Sequence, residues 1–312
     1  MMKENWPLVS VFTLCYNTGP YVIQALECVK RQNYPNIQHI ILDDCSFDDS
    51  ASQIAKWINT NNYKCTFIKH NSNRGIQKSL EEVFTLMEGK YWVAISDDLW
   101  VDNRLINDVS LFENLDKSYA LIYGDTSIID EENNIIEPST FEKFRGKSFL
   151  PPSGMIFKDV LDDFFFYIQA AMIRKESFDS MNFSFSDKII SEDWYWQLHL
   201  SRKFKFFGTS ELRAYYRIRQ NSITQINWGN DVKKMNVVNS HFNMIVDIYK
   251  ICNLKNEKEI VFSKLRNLSR HPVKFSAYNF IVKLRCLIYL LFLKPCYSAF
   301  KNIFTAQLTF IK

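Results

Sequence analysis

Apolar positions along the first hundred residues switch repeatedly between two periods. Val9-Ser-Val-Phe-Thr-Leu14 is a short, nearly continuous apolar run bounded by polar residues and predicts a buried strand. From residue 21 to 31 the apolar side chains fall at 22, 25, 26 and 29, the spacing of one helix face. Pro35-Asn36 predicts a turn, and the cycle then repeats: a strand at 39–42, a helix at 48–58, a strand at 65–69, a helix at 76–87 and a strand at 91–95. Short strands alternating with helices predict an α/β fold with a mostly parallel sheet. Polar residues collect just past the strand ends, at Asp43-Asp44 and at Ser96-Asp97-Asp98, where open α/β sheets bind ligands.

Further along, residues 119–129 predict a strand pair around Gly124-Asp125, and 131–134 a polar turn. Residues 137–152 have little periodicity and three prolines, and are expected to form a loop that covers a site. A helix is predicted to start near Ser191-Glu192-Asp193. After Trp228 the pattern is helical and basic to the end, which predicts a domain at 1–227 and a helical C-terminal region at 228–312.

Composition narrows the class. At 312 residues, 47% hydrophobic and 23% charged, the chain suits about two units with a real core. Eight Gly and eight Pro exclude collagen-like and linker architectures. An aromatic content of 15% fits a deep core, a surface for stacking sugars or bases, or a membrane-facing patch. The net charge of +4 is too small to imply nucleic acid as a partner. From residue 260 to the end, however, there are nine basic residues and no acidic one. The apolar stretch 280–293 in that tail contains Lys283 and Arg285 and falls short of the roughly 20 residues of a spanning helix. With Lys294 beyond it, it is expected to lie on an anionic membrane surface, with a helical cap or a dimer interface as the plainer alternative. Seven cysteines without a C-x-x-C pair point to a reducing compartment, and the N-terminus has no apolar leader region. The expected location is therefore cytoplasmic, peripheral on the inner face of the membrane.

Asp97-Asp98 offers hard oxygen ligands for Mg²⁺ or Mn²⁺, and through the cation for a diphosphate; a turn with a helix cap would use the same residues. Asp43-Asp44 repeats the arrangement one strand earlier, where a carboxylate can accept from a base or a ribose hydroxyl, or again cap a helix. Asp193 reads either as a general base beside the aromatic faces of Trp194 and Trp196, or, with Glu192, as acidic residues complementing a helix dipole. That dipole is expected to lower the Asp193 pKa. The five histidines show no zinc spacing, and no dinucleotide-binding, P-loop or nucleophile-elbow motif is present.

Taken in order, these segments resemble the family 2, GT-A-type inverting glycosyltransferases of bacterial polysaccharide synthesis. The likeness runs through Val9 to Asn17, Ala25 to Gln32, Ile41-Leu-Asp-Asp-Cys-Ser46, Asn73-Arg-Gly75, Ser96-Asp-Asp98, Ile122-Tyr-Gly-Asp125, Ser191-Glu-Asp-Trp194 and Tyr216 to Ser222, and so covers roughly residues 7–225. It implies that Asp44 binds the base or ribose of a nucleotide sugar, UDP above all, in a pocket lined by Leu14, Tyr16 and Asn17, with Arg74 and Gly75 nearby. It further implies that Asp97 contacts the ribose, that Asp98 ligates Mn²⁺ or Mg²⁺ at the diphosphate, and that Asp193 deprotonates the acceptor hydroxyl. Glu192, Trp194 and Trp196 are then candidates for the acceptor side, the acceptor being a glycan or a lipid-linked glycan. Three positions depart from the family pattern: Leu14 stands for Pro, Cys45 for a small residue, and Arg219 for a His that can ligate the metal or diphosphate. A guanidinium at 219 would instead pair with phosphate oxygens. The alternatives are a nucleotidyltransferase of related fold, which would release pyrophosphate, and a non-catalytic carbohydrate-binding or scaffold protein.

Overall fold

The computed structural model describes residues 6–163, 166–186, 188–219, 222 and 231–270. The chain divides into two compact units, Met1–Lys233 and Lys234–Lys312, and the strands and the site belong to the first. Residues 223–230, where the sequence puts a domain boundary, and 271–312, which hold the apolar basic stretch, lie outside the described residues.

The alternating pattern becomes β1 (Val9–Cys15), α1 (Gly19–Lys30), β2 (Ile37–Asp43), α2 (Ser50–Asn61), β3 (Thr66–Lys69), α3 (Ile76–Leu86) and β4 (Tyr91–Ile95). β1 lies between β2 and β4, parallel to both, with Val9 opposite Ile37 and Tyr91. All five residues of β4 are buried, as a strand covered on both faces requires. Polar side chains inside this sheet are paired across strands. Ser10 Oγ donates to Gln38 Oε1 at 2.5 Å, and Thr13 Oγ1 lies 3.0 Å from His39 Nε2. Burial drives the His39 pKa down to about 3, so this histidine is a neutral core residue.

The second half is mixed. It runs β5 (Leu99–Trp100), α4 (Arg104–Asn114), β6 (Tyr119–Ile129), β7 (Ile135–Glu137), α5 (Thr140–Arg145), α6 (Phe157–Asp162), a 3₁₀ turn (Ile168–Ala170), β8 (Ala171–Arg174), α7 (Lys175–Asp179), α8 (Glu192–Ser201) and β9 (Lys205–Arg217), followed by helices Asp231–Ile251 and Lys255–Arg270. The sheet order among the described residues is β3-β2-β1-β4-β8-β6-β9-β5, with β7 on β6. β8 is antiparallel to both β4 and β6, β6 and β9 are parallel, and β5 is antiparallel to β9. Three residues, Ser96 to Asp98, join β4 to β5, yet β8, β6 and β9 stand between these strands in the sheet. A flat sheet would put β4 and β5 roughly 19 Å apart, whereas the connecting chain reaches about 14 Å at full extension. The sheet therefore curls, and the curl carries Asp97-Asp98 against the end of β9.

Two expectations change. Residues 119–129 form one strand rather than a pair, because Gly124 sits inside β6 where β9 comes too close for a side chain. A Cβ there would lie 2.6 Å from both Glu211 O and Arg213 Cγ, and the pairing register shifts at this point. The stretch 137–152 is also more ordered than a bare loop. Asp125 accepts from Ser139 Oγ, Thr140 Oγ1 and Phe141 N, which fastens the start of α5 to the sheet. Among the described residues no helix is long and apolar enough to cross a membrane.

Candidate functional site

The ends of β1, β2 and β4 meet the starts of α3 and α8 and the end of β9 around two adjoining cavities, which share Leu14, Ile76 and Ser96 as walls. The outer cavity, about 350 Å³, brings together Tyr16, Asp44, Gly75, Asp97, Arg217 and Arg219. The inner one, about 130 Å³, brings together Asp98, Gln169, Glu192, Asp193 and Trp196.

At the outer cavity the turns after β1 and β2 are interlocked. Asn17 and Cys45 adopt left-handed backbone, with φ of 53° and 61°. Asn17 N donates to Ser46 Oγ at 2.9 Å, and Asn17 Oδ1 accepts from Phe47 N at 3.0 Å. Asn17 thus shapes the pocket by bracing its rim and does not line it. Asp43 is spent locally, accepting from Ser46 N and Oγ, while Asp48 accepts from Gly19 N and holds the start of α1.

Asp44 faces the loop between β3 and α3. Its Oδ1 accepts from Arg74 N at 2.8 Å and lies 2.7 Å from His70 Nδ1; its Oδ2 accepts from Gly75 N at 2.8 Å. Burial opposes the charge, but the His70 contact and the two backbone N–H groups outweigh it and hold the carboxyl below its usual range. The Arg74 side chain turns away to Glu82 Oε2, at 2.5 Å, so only its backbone serves Asp44. Gly75 has φ 82° and ψ 160°, a backbone region essentially restricted to glycine.

Asp97 and Asp98 are held by Arg217, the last residue of β9, and by Arg219 just beyond it. Arg217 N donates to Asp98 Oδ1 at 2.8 Å, Arg217 Nε to Asp97 O at 2.8 Å, and Arg219 Nε to Asp97 Oδ2 at 2.5 Å. Arg219 therefore pairs with a carboxylate beside the cavity. Burial, followed by the neighbouring Asp97 charge, pushes the Asp98 carboxyl well above its ordinary value, despite the N–H of Arg217 and the charges of Arg217 and Arg219. Among the described residues no cluster of three or more His, Cys, Asp or Glu forms a metal cage by itself. A divalent cation that borrows diphosphate oxygens and water needs only one or two carboxylates, and two crowded aspartates answer that description.

Glu192 and Asp193 open α8, with Ser191 at the N-cap. The lowered pKa expected from the helix dipole is not what the structure gives. Burial dominates and raises Asp193 to about 6, against the opposing effect of the Trp194 N–H at 2.8 Å from Asp193 Oδ1. Burial and then the Asp193 charge raise Glu192 to about 8. The pair thus presents one carboxylate and one carboxylic acid at neutral pH. Trp196 forms part of the inner wall, packed edge-on against Trp92 at 5.5 Å. Trp194 is not brought to either cavity: its Nε1 donates to Val160 O at 2.6 Å, which anchors α8 to α6. The structure adds residues that the sequence did not single out. Arg217 braces both aspartates, His70 supports Asp44, and Gln169 reaches the inner cavity. Gln169 is a single polar residue inside the apolar run Tyr-Ile-Gln-Ala-Ala-Met, and that interruption was its only sequence signal.

The model of the family described as glycosyl transferase family 2 matches residues 10–181, more than half of the chain. TuaG of Bacillus subtilis, a candidate glycosyltransferase of teichuronic acid biosynthesis, is 24% identical over 229 residues, or 72% of this chain and 84% of its own. WcaA of Escherichia coli, a candidate glycosyl transferase of colanic acid biosynthesis, is 35% identical over 106 residues, 33% of this chain and 37% of its own. Among solved structures, the mannosyltransferase PcManGT of Pyrobaculum calidifontis, in complex with GDP-Man and Mn²⁺, superposes with a TM-score of 0.63 at 14% identity, covering 98% of this chain and 81% of that one. Residues 1–349 of S. aureus TarS, in complex with UDP-GlcNAc, also give 0.63 at 14% identity, covering 90% and 79%.

Proposed function

The chain belongs to glycosyltransferase family 2, with the GT-A fold, and from that premise we propose that it is an inverting, metal-dependent enzyme moving a sugar from a UDP-sugar to a hydroxyl of a glycan or lipid-linked glycan during surface polysaccharide assembly. The observation that carries this reading is that Asp98 and Asp193 line one small cavity, which shares Leu14, Ile76 and Ser96 as walls with the cavity lined by Asp44, Asp97 and Arg219. The polysaccharide setting draws on the likeness to TuaG and WcaA.

In this reading the base of the donor sits in the outer cavity on the wall made by Leu14, Tyr16 and Gly75, and Asp44 Oδ2 accepts from it. The rigid cradle around Asp44 keeps that carboxylate ionised and aimed. Asp97 meets the ribose, and Arg219, held at the cleft by Asp97, faces the phosphates. Asp98, with Asp97 beside it, is the pair that would hold Mn²⁺ or Mg²⁺; when bound, the cation supplies Lewis-acid stabilisation of the departing diphosphate. Asp193 accepts the proton of the acceptor hydroxyl as that oxygen attacks the anomeric carbon. The nucleoside diphosphate leaves from the opposite face, so the configuration inverts and no covalent intermediate is needed. A carboxyl raised to about 6 is ionised at neutral pH and more basic than an ordinary aspartate, which suits this step. Glu192, whose carboxyl burial and the Asp193 charge push upward, lies at the same rim and faces the acceptor with Trp196.

The test is turnover and binding measured side by side. Asp193→Asn should leave UDP affinity nearly unchanged while turnover falls by roughly 10²–10⁴-fold. Asp98→Ala should remove the metal-dependent part of UDP binding. Equal loss of UDP binding in both variants would contradict these roles.

A further inference from the structure

The first turn of α3 borders both halves of the site. Gly75, at its N-cap, donates its N–H to Asp44 Oδ2 at 2.8 Å. Ile76 is a wall of both cavities, Ser79 lines the outer one and Leu80 the inner one. Gln77 lines neither. Its side-chain Nε2 donates instead to Ser186 O at 3.0 Å and to Ile189 O at 2.6 Å. A primary amide nitrogen carries two hydrogens, and here both are engaged by carbonyls of a single segment. That segment is a tight turn, closed by Ile189 N donating to Ser186 O at 2.8 Å. Ile189 is buried, and α8 begins shortly after it with Glu192 and Asp193.

Aromatic rings hold the residues just before this turn. Phe185 stacks on Phe84 of α3 with ring centroids 5.9 Å apart. Phe84 follows Gln77 by two helical turns and so shares its face of α3. Phe183 meets Tyr195 and His199 of α8 edge-on, at 5.3 and 5.1 Å. Residues 183–189 therefore form a strap between α3 and α8. Ring pairs are favourable over a range of offsets and separations, so they hold the strap without fixing its position closely. Hydrogen bonds weaken steeply with distance and angle. The two made by Gln77 thus set where the strap sits on α3, and through it where α8 starts.

We propose that Gln77 is a positioning residue for the transfer step: it fixes the start of α8, and with it Asp193, relative to the donor anchored at Asp44. This rests on the roles of Asp44 and Asp193 given under Proposed function. The contact with Asp44 and the contact with the strap leave α3 from residues 75 and 77, so donor and base are both placed from one helical turn. Displacing a reacting group by about 1 Å costs on the order of 10²-fold in rate, even when the change lies away from the chemistry. Loss of Gln77 should accordingly be felt in turnover and not in nucleotide binding.

The experiment compares the full chain, in Mn²⁺, as wild type, Gln77→Glu, Gln77→Leu and Asp193→Asn. Gln77→Glu keeps the shape but turns acceptor oxygens toward two carbonyls, and Gln77→Leu removes the donors without adding charge. Amide hydrogen exchange, UDP affinity by calorimetry, and UDP release from UDP-glucose, UDP-galactose and UDP-N-acetylglucosamine with water as acceptor are measured on each. Both Gln77 variants should exchange at least about tenfold faster over residues 186–195, while exchange in β1 and UDP affinity stay those of the wild type. For a donor that the wild type hydrolyses, kcat should fall by roughly 10–100-fold with KM unchanged. Unchanged exchange over 186–195 in both variants overturns the proposal, whether or not any donor is hydrolysed. Unchanged kcat despite faster local exchange overturns it as well, since Gln77 would then only steady the strap. Faster exchange throughout the chain with loss of UDP binding gives Gln77 a role in the whole fold and also overturns it. Hydrolysis indifferent to Asp193→Asn contradicts the assignment of the base instead.

Discussion

Glu192 and Asp193 are adjacent in sequence and chemically alike, yet burial separates them into an acid raised to about 8 and a base raised to about 6. Activity should therefore rise with pH as Asp193 ionises around 6, and a rate profile in pH is the measurement that checks it. The same burial has a consequence for stability with the opposite sense. A carboxyl whose pKa is higher in the folded chain than in the unfolded one binds its proton more tightly when folded. Its contribution is present at acid pH and is lost as pH climbs from the ordinary glutamate range through about 8. Glu192→Gln should thus melt at a higher temperature than the wild type at pH 8.5 and at nearly the same temperature at pH 4; an unchanged melting point at pH 8.5 would contradict a buried, raised Glu192. The acidic pairs themselves were legible in the sequence, because carboxylates at strand ends in an α/β pattern have few reasons to be there. Their protonation was not. The helix-dipole argument predicted the wrong direction for Asp193, since a dipole acts within one turn whereas desolvation depends on walls such as Leu80 and Ile168 that are distant in sequence.

At the scale of elements, the loop between β3 and α3 shows how a short segment sets a pocket. Gly75 supplies one of the two backbone N–H groups on Asp44 from a conformation that other residues rarely adopt. Nothing stands within 4 Å of a Cβ added there, so the cost of Gly75→Ala is backbone strain rather than a clash. About 1–3 kcal/mol of destabilisation is expected, with weaker UDP binding, by denaturation and titration of the same sample. The parallel half of the sheet was readable because β1, β2 and β4 are short, mostly apolar runs separated by amphipathic helices. The mixed half was not. β5 has two residues, too few to leave a pattern, and β9 shifts register against β6 at Gly124 and gains β5 on its other edge only at Ala214–Tyr215. Arg217 and Arg219 lie just beyond that pairing, which explains why the bracing of Asp97 and Asp98 by β9 could not be read from spacing alone.

For the whole molecule, the curl of the sheet is the feature that makes a site from scattered residues. It folds the three-residue link between β4 and β5 onto the end of β9 and brings aspartates from one half of the chain to arginines from the other. Beyond that unit the basic C-terminal sequence carries a separate proposal, that it attaches the enzyme to the membrane holding its acceptor. Lys283→Glu with Arg285→Glu should lower partition onto vesicles containing anionic lipid, by ~1 kcal/mol for each cation removed from the surface, and leave binding to neutral vesicles unchanged. Unaltered partition on anionic vesicles would contradict it. The central claim is the donor site itself, and it is tested most directly by calorimetric titration of the full chain with UDP, with and without Mn²⁺, alongside GDP and CMP and with Asp98→Ala as the control. The account predicts binding of UDP that depends on Mn²⁺, fails in Asp98→Ala and exceeds that of the other nucleotides. Binding of no nucleotide, or binding of UDP indifferent to both Mn²⁺ and Asp98, would contradict it.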